Sequence, residues 1–234
     1  MTTRNDISKE DVIKIISKLW DPLTKAQQSL LLENMKIKKC KKNDVIYKGS
    51  GSPREMMCLI VGKVKIYKDG VSGRNQIIRA IKPFDFFGYR AYFAGEDYRT
   101  SAMAIDTCTV AFFPIHLIVD MMKENSSISL YFIKNLSCIL GASDERAVNL
   151  TQKHIRGRLA ETLLFLKECY GVEEDGATLD IYLSREDIAS MSNMTTSNAI
   201  RTLSSFATEK LIAVDGKKIK IINDSELRKV SRIG

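Results

Sequence analysis

The chain has 234 residues, with 36 Lys+Arg against 28 Asp+Glu and a net charge of +8. At about 150 residues per domain, that length holds one large domain or two small ones. Hydrophobic residues at 44% and charged residues at 27% are ordinary globular usage, which argues against general disorder and against a fibrous chain. Apolar stretches such as Phe112-Phe113-Pro114-Ile115 fall far short of the roughly 20 residues a bilayer needs. Met1-Thr2-Thr3-Arg4-Asn5-Asp6 carries no apolar signal segment. The five cysteines are scattered, without a CxxC pair, which fits a reducing compartment rather than a disulfide framework or an N-terminal iron–sulfur cluster. A cytoplasmic protein with no membrane partner is therefore expected. The positive charge raises a nucleic-acid partner without deciding it.

From about Cys40 to Phe113, β-branched and aromatic residues alternate in short runs such as Val64-Lys65-Ile66-Tyr67 and Thr107-Cys108-Thr109-Val110. Turn signals fall at Lys68-Asp69-Gly70 and Ser72-Gly73. Period-two alternation broken every eight to twelve residues predicts an antiparallel sandwich or barrel, with no room for a parallel crossover. From Pro114 to Leu150 the pattern turns helical. Ile133, Leu136, Leu140, Ser143, Ala147 and Leu150 follow the 3,4 spacing of a heptad seam. Such a seam packs either on its own domain or on a second copy of the chain; its length and its place between two domains favour a homodimer helix.

Beyond Thr151 further helices precede a hairpin. Ser184 caps a helix opening Arg185-Glu186-Asp187, with Ile188, Ala189 and Met191 as its apolar side. After a break at Ser192-Asn193-Met194, a second helix opens at Thr195 or Thr196 and buries Ala199, Leu203 and Phe206. Ala213 to Ile221 then reads as strand, Asp-Gly turn, strand. Helix, turn, helix and hairpin make a winged helix-turn-helix. Such a helix enters the DNA major groove with short polar groups at its N-terminus and a long cation further on. Thr195, Thr196, Ser197, Asn198, Ile200, Arg201 and Ser204 are the candidates on this helix, Arg201 being able to reach guanine or a phosphate. Arg185, Lys217 and Lys218 are candidate backbone contacts. The other reading of the same pattern is a small-molecule-binding module whose winged helix meets a protein.

Lys42-Asn43-Asp44-Val45-Ile46-Tyr47-Lys48-Gly49, Leu59–Lys65, Asp85-Phe86-Phe87-Gly88 through Arg99-Thr100-Ser101-Ala102, Asn149-Leu150 with Gly157–Leu164, and Leu183–Ile222 occur in order and spacing that resemble the Crp/Fnr transcription regulators. The resemblance implies an α+β chain. An N-terminal antiparallel β jelly roll, cyclic-nucleotide-binding-like and preceded by short helices, would fill 1–113. A dimerisation helix would fill 114–150, and a winged helix-turn-helix domain 151–234. It implies a homodimer that binds a pseudo-palindromic double-stranded DNA site under control of an effector at the roll. It also places Gly88, Tyr89, Arg90, Arg99, Thr100, Ser143 and Asp144 at the effector pocket.

In cyclic-AMP-binding members Gly is followed by Glu, which accepts from the ribose hydroxyl, and an Arg pairs with the cyclic phosphate. Here Tyr89 stands at the Glu position and Ser143-Asp144 replaces a Thr-Ser pair. The lost acceptor leaves a hydroxyl unpaired at roughly 1–3 kcal/mol. That disfavours cyclic AMP and leaves two readings of Arg99 open, an anionic small-molecule effector or an internal partner, which would be Glu96, Asp97 or a backbone carbonyl. Ser197 and Ile200 depart from the best-known recognition helices, so the half-site should differ; Ile200 suits a thymine methyl. RNA polymerase is a further partner implied by the resemblance, through the acidic loop Glu173-Glu174-Asp175-Gly176, which the residues alone read as a solvated turn. The only histidines are His116 and His154, none within 40–113, so neither a haem, nor a metal site, nor a metal-dependent enzyme built on the roll is expected. Residues 151–234 hold 13 Lys+Arg against 12 Asp+Glu, so the surplus charge lies in the first 150 residues. The expectation of DNA binding therefore rests on placement, not on net charge.

Overall fold

The computed structural model describes residues 7–70 and 75–233. The chain forms two compact units, Met1–Ile66 with Ile81–Gly141, and Tyr67–Ala80 with Ala142–Gly234. Two short helices open it, α1 (Lys9–Leu19) and α2 (Lys25–Asn34). Each begins where a hydroxyl takes a free helix N–H. Ser8 Oγ accepts from Asp11 N, and Thr24 exchanges bonds with Gln27 in a capping box.

The strands that follow are β1 (Lys36–Cys40), β2 (Val45–Tyr47), β3 (Glu55–Val61), β4 (Val64–Asp69), β5 (Asn75–Ile81) and β6 (Phe86–Phe87). The one-turn helix α3 (Arg90–Phe93) comes next, then β7 (Ser101–Ala104) and β8 (Cys108–Pro114). They make two four-stranded sheets, ordered β1-β8-β3-β6 and β2-β7-β4-β5, with β1–β8, β3–β8, β3–β6 and β2–β7 all antiparallel. The alternating pattern thus forms the expected antiparallel roll. Strand β4 runs through Lys68 and Asp69, which the sequence reads as a turn. The Ser72-Gly73 turn lies outside the described residues.

Between β3 and β4, Gly62 takes φ +97°, open to glycine at little cost. A Cβ there would sit 2.5 Å from Cys108 Cβ, so the turn needs glycine for room as well as for conformation. Two cores fill this first unit. Met57, Leu59, Val64, Ile66, Phe87, Ala102 and Val110 line the roll interior. Trp20 is fully buried on the other side, with ring centroids 5.1 Å from Phe86 and 5.7 Å from Phe132.

A single helix over 114–150 is corrected by the structure. The segment is α4 (Ile115–Glu124) and α5 (Ser126–Gln152), separated at Asn125. Asn125 is extended, at φ −128° and ψ 101°, and its Oδ1 accepts from Ser127 N, so a short amide ends one helix and caps the next. The chain continues with α6 (Ile155–Tyr170), α7 (Arg185–Met191) and α8 (Thr196–Thr208). Last come the hairpin β9 (Ile212–Asp215) and β10 (Lys218–Ile221), and α9 (Asp224–Ile233). Asp215 pairs with Lys218, so the hairpin loop is Gly216-Lys217 rather than Asp215-Gly216. Gly216, at φ +53°, stands first in that two-residue loop.

Candidate nucleic-acid interface and effector cassette

Ser184 Oγ accepts from Asp187 N and opens α7; Thr195 Oγ1 accepts from Asn198 N and opens α8. The turn between them passes through Asn193 at φ +47°, a left-handed position that asparagine tolerates. Helix α8 buries Ala199, Leu203 and Phe206 as the spacing predicts, and Thr202 with them. Its outer face carries two adjacent i,i+4 rows, Thr196-Ile200-Ser204 and Ser197-Arg201. Ile200 is 48% exposed, and Arg201 is exposed with no ion pair or hydrogen bond among the described residues. Ser204 Oγ donates to its own helix at Ile200 O, and the Thr195 hydroxyl is occupied as the cap. Thr196, Ser197, Asn198, Ile200 and Arg201 share this outer surface, while the Thr195 hydroxyl keeps its O–H and the Ser204 hydroxyl its acceptor lone pairs.

The other basic candidates divide. Arg185 Nη2 donates to Gly216 O at 2.6 Å, tying the first residue of α7 to the wing loop. Lys218 Nζ reaches Glu173 at 3.2 Å and lies over the Tyr182 ring, 5.3 Å from its centroid. Lys220 pairs with Asp175 at 3.2 Å. Asp175 also accepts from Ala177 N, Thr178 N and the Thr178 hydroxyl, and these bonds hold its carboxyl well below the usual range. Glu173 and Asp175 of the acidic loop therefore brace the wing. Lys217 is the exposed cation at the loop tip.

Two residues outside the expected set hold this unit together. Arg158 donates Nε to Ser192 O, Nη1 to Leu150 O and Lys153 O, and Nη2 to Asn193 O. One guanidinium thus satisfies free carbonyls at the ends of α5 and α7, which a helix C-terminus leaves without partners. Arg156 forms a two-bond pair with Glu209 at 2.6 and 2.8 Å and stacks 5.0 Å over Phe206. The pair pulls the Glu209 carboxyl down to about 2. The sequence signal was slight: Arg158 stands beside Gly157 in a motif recognised only by resemblance.

In the roll, Gly88 takes φ +83°, and a Cβ there would lie 2.1 Å from Met57 Cε. Tyr89 is 2% exposed, its ring centroid 4.9 Å from Phe132. Glu96 bridges the two cassette arginines, at 2.7 Å from Arg90 Nη2 and 2.6 Å from Arg99 Nη2. The flanking guanidiniums, Arg90 foremost, hold the Glu96 carboxyl below its ordinary value. Tyr98 stacks on Tyr47 at 4.1 Å and donates to Glu55 O. Thr100 is half-buried. Ser143 and Asp144 are exposed on α5, beside the exposed seam residues Ile133, Leu140, Ala147 and Leu150; Leu136 is half-buried. Among the described residues no three His, Cys, Asp or Glu side chains cluster as metal ligands, and no helix is long and apolar enough to cross a membrane.

Two family models match, the cyclic nucleotide-binding domain over residues 37–125 and the Crp-like helix-turn-helix domain over 157–230. The chain is 26% identical over 178 residues to the CRP-like cAMP-activated global transcriptional regulator of Mycobacterium tuberculosis, covering 75% of this chain and 79% of that protein. It is 26% identical over 175 residues to the global nitrogen regulator of a Nostoc species, covering 73% and 78%. Among solved structures it is similar to FixK2 from Bradyrhizobium japonicum, with a TM-score of 0.76, 21% identity, and coverage of 84% of this chain and 96% of that one. Roll, helix-turn-helix and relatives agree: this chain belongs to the Crp/Fnr family of transcription regulators, with a cyclic-nucleotide-binding-type domain and a DNA-binding helix-turn-helix.

Proposed function

We propose that the chain acts in the cytoplasm as a homodimer on a pseudo-palindromic DNA site, with α8 of each protomer in the major groove and half-sites about one helical turn apart. The observation that carries this reading is the outer face of α8, where a free Arg201 stands one turn beyond Ser197 on a helix whose other face is buried. Ile200 supplies an apolar contact for a thymine methyl, and Lys217 a phosphate contact. A second copy is supported by α5, where Leu130, Ile133 and Leu140 form an exposed apolar stripe, Leu140 at 62%. Dimerisation would bury it. RNA polymerase is a further partner; Glu174 is then the acidic-loop residue best placed to meet it, since Glu173 and Asp175 pair with lysines.

The effector reading rests on the arginine pair. Arg90 and Arg99 converge on a single carboxylate, a geometry a small anion reproduces by displacing Glu96. Cyclic AMP is disfavoured, because the buried Tyr89 offers no carboxylate to a ribose hydroxyl. The direct test is titration of the full chain onto duplex DNA from its own upstream region at several salt concentrations. A DNA-binding dimer loses affinity steeply, with a log–log slope of about −5 for some six phosphate contacts. A winged helix that meets only protein partners gives no specific retardation.

A further inference from the structure

Cys40 closes β1 and Cys108 opens β8, and the register sets them directly opposite each other on the last rung of that antiparallel ladder. Facing residues on an antiparallel pair project to the same side of the sheet, with Cα atoms about 4.5 or 5.5 Å apart according to the rung. Both spacings lie inside the roughly 4.4–6.8 Å window of a disulfide. Both side chains are buried and both are free thiols. They stand close enough for each thiol to influence the titration of the other. Beyond this rung the chain leaves the ladder at once, into a turn closed by Asp44 N to Lys41 O and by Asn43 at φ +69°. Just past the rung, Asn43 N donates to Ala104 O and Ala104 N to Asp44 O, so a small oxidant reaches the covered pair through local opening of this end of the ladder.

We infer that Cys40 and Cys108 are a dithiol site in the roll, oxidised by hydroperoxides to an intramolecular disulfide. In the first step the Cys40 sulfur attacks one oxygen of the peroxide. The O–O bond breaks, Cys40 becomes a sulfenic acid, and the departing hydroxide takes the thiol proton as water. The Cys108 sulfur then attacks the sulfenic sulfur. An S–S bond forms, the S–O bond breaks, and the Cys108 proton leaves with the oxygen as a second water. Two thiols lose two electrons and one peroxide gains them.

Cys40 is assigned the first attack because the Lys38 charge opposes the rise that burial, and then Asp44, impose on its thiol. Burial pushes Cys108 up to about 12. Cys58 is buried without such a partner opposite it, since its register partners are Ala111 and Phe86. Cys138 is exposed on α5 and belongs to no pair. The disulfide would staple the edge strand β1 to β8, closing a long loop that spans most of the roll.

The test treats the full-length protein with hydrogen peroxide, alkylates it in denaturant and maps it by mass spectrometry without reduction. The expected result is a Cys40–Cys108 linked peptide pair, about 2 Da lighter than the two free peptides, that returns to free thiols with reductant. Cys58 and Cys169 should stay alkylatable, and Cys138 should appear as a sulfenic acid or an intermolecular product. Full alkylation of Cys40 and Cys108 after Cys138 has been consumed overturns the inference. So does a link from either cysteine to a different partner. The measurement uses the unaltered chain, so it does not depend on a variant folding.

Discussion

Arg185 Nη2 donates to Gly216 O at 2.6 Å, so the residue that opens the first helix of the helix-turn-helix also holds the loop of the wing. A cation expected as a phosphate contact thus commits its Nη2 within the fold, while its Nη1 is left without a partner. The two roles separate by salt. Arg185→Ala should weaken binding to a specific duplex about tenfold through a loosened wing, with the slope of log affinity against log salt unchanged. Lys217→Ala should lower that slope by about 1 per protomer, because it removes a direct phosphate contact. Equilibrium binding at four or five salt concentrations checks both.

Arg158 carries four backbone carbonyls, at Ser192, Asn193, Leu150 and Lys153. Arg158→Ala should destabilise the DNA-binding unit by about 2 kcal/mol, since each lost bond leaves a carbonyl short of a charged donor. Arg158→Lys keeps the charge but not the fork, and should recover less than half of the loss. Denaturant unfolding followed by circular dichroism reads both variants.

Cyclic AMP at millimolar concentration should leave the melting temperature unchanged. Inorganic pyrophosphate should raise it, and more so in Glu96→Gln, where the arginine pair no longer holds an internal carboxylate at 2.6–2.7 Å. Thermal shift with each ligand is the measurement. Stabilisation by cyclic AMP, or none by pyrophosphate in either protein, would remove the effector reading without touching the DNA reading.

Glu209 has its carboxyl pulled from its ordinary value near 4.5 to about 2, first by Arg156 and then by Ser205. A depressed carboxyl contributes stability above its unfolded value and loses it as pH falls toward the folded one. The Arg156–Glu209 pair is therefore at full strength above about pH 4.5 and fades between there and pH 2. Both side chains are more than a third exposed, so the contribution is at most about 1 kcal/mol. Denaturant unfolding at pH 6, 4 and 3 should show Glu209→Gln converging on the unaltered protein as pH falls.

Much of this was legible in the residues. Alternation in 40–113 and the 3.6-residue stripe of α8 are local patterns, and each formed the element it predicts. Asn125 was not, because one short amide within a helical run gives little signal until its side chain is seen capping Ser127. Arg158 acts on carbonyls from two distant helix ends that only folding gathers. Arg185 and Lys218 read as free cations because a sequence does not say which oxygen lies nearest. The five cysteines are scattered in sequence without a CxxC pair; it is strand register that sets Cys40 opposite Cys108.

In the proposed complex, α8 reads DNA bases through Arg201. Selection of binding sites from a random duplex pool with the full chain, followed by affinity measurement of Arg201→Ala on the selected site, tests it most directly. The expected result is an inverted repeat with half-sites about one helical turn apart, and a loss of about 1–3 kcal/mol per half-site for the variant, with relaxed preference at one base pair. A pool with no enriched sequence, or a variant that binds the selected site as tightly as the unaltered protein, would contradict it.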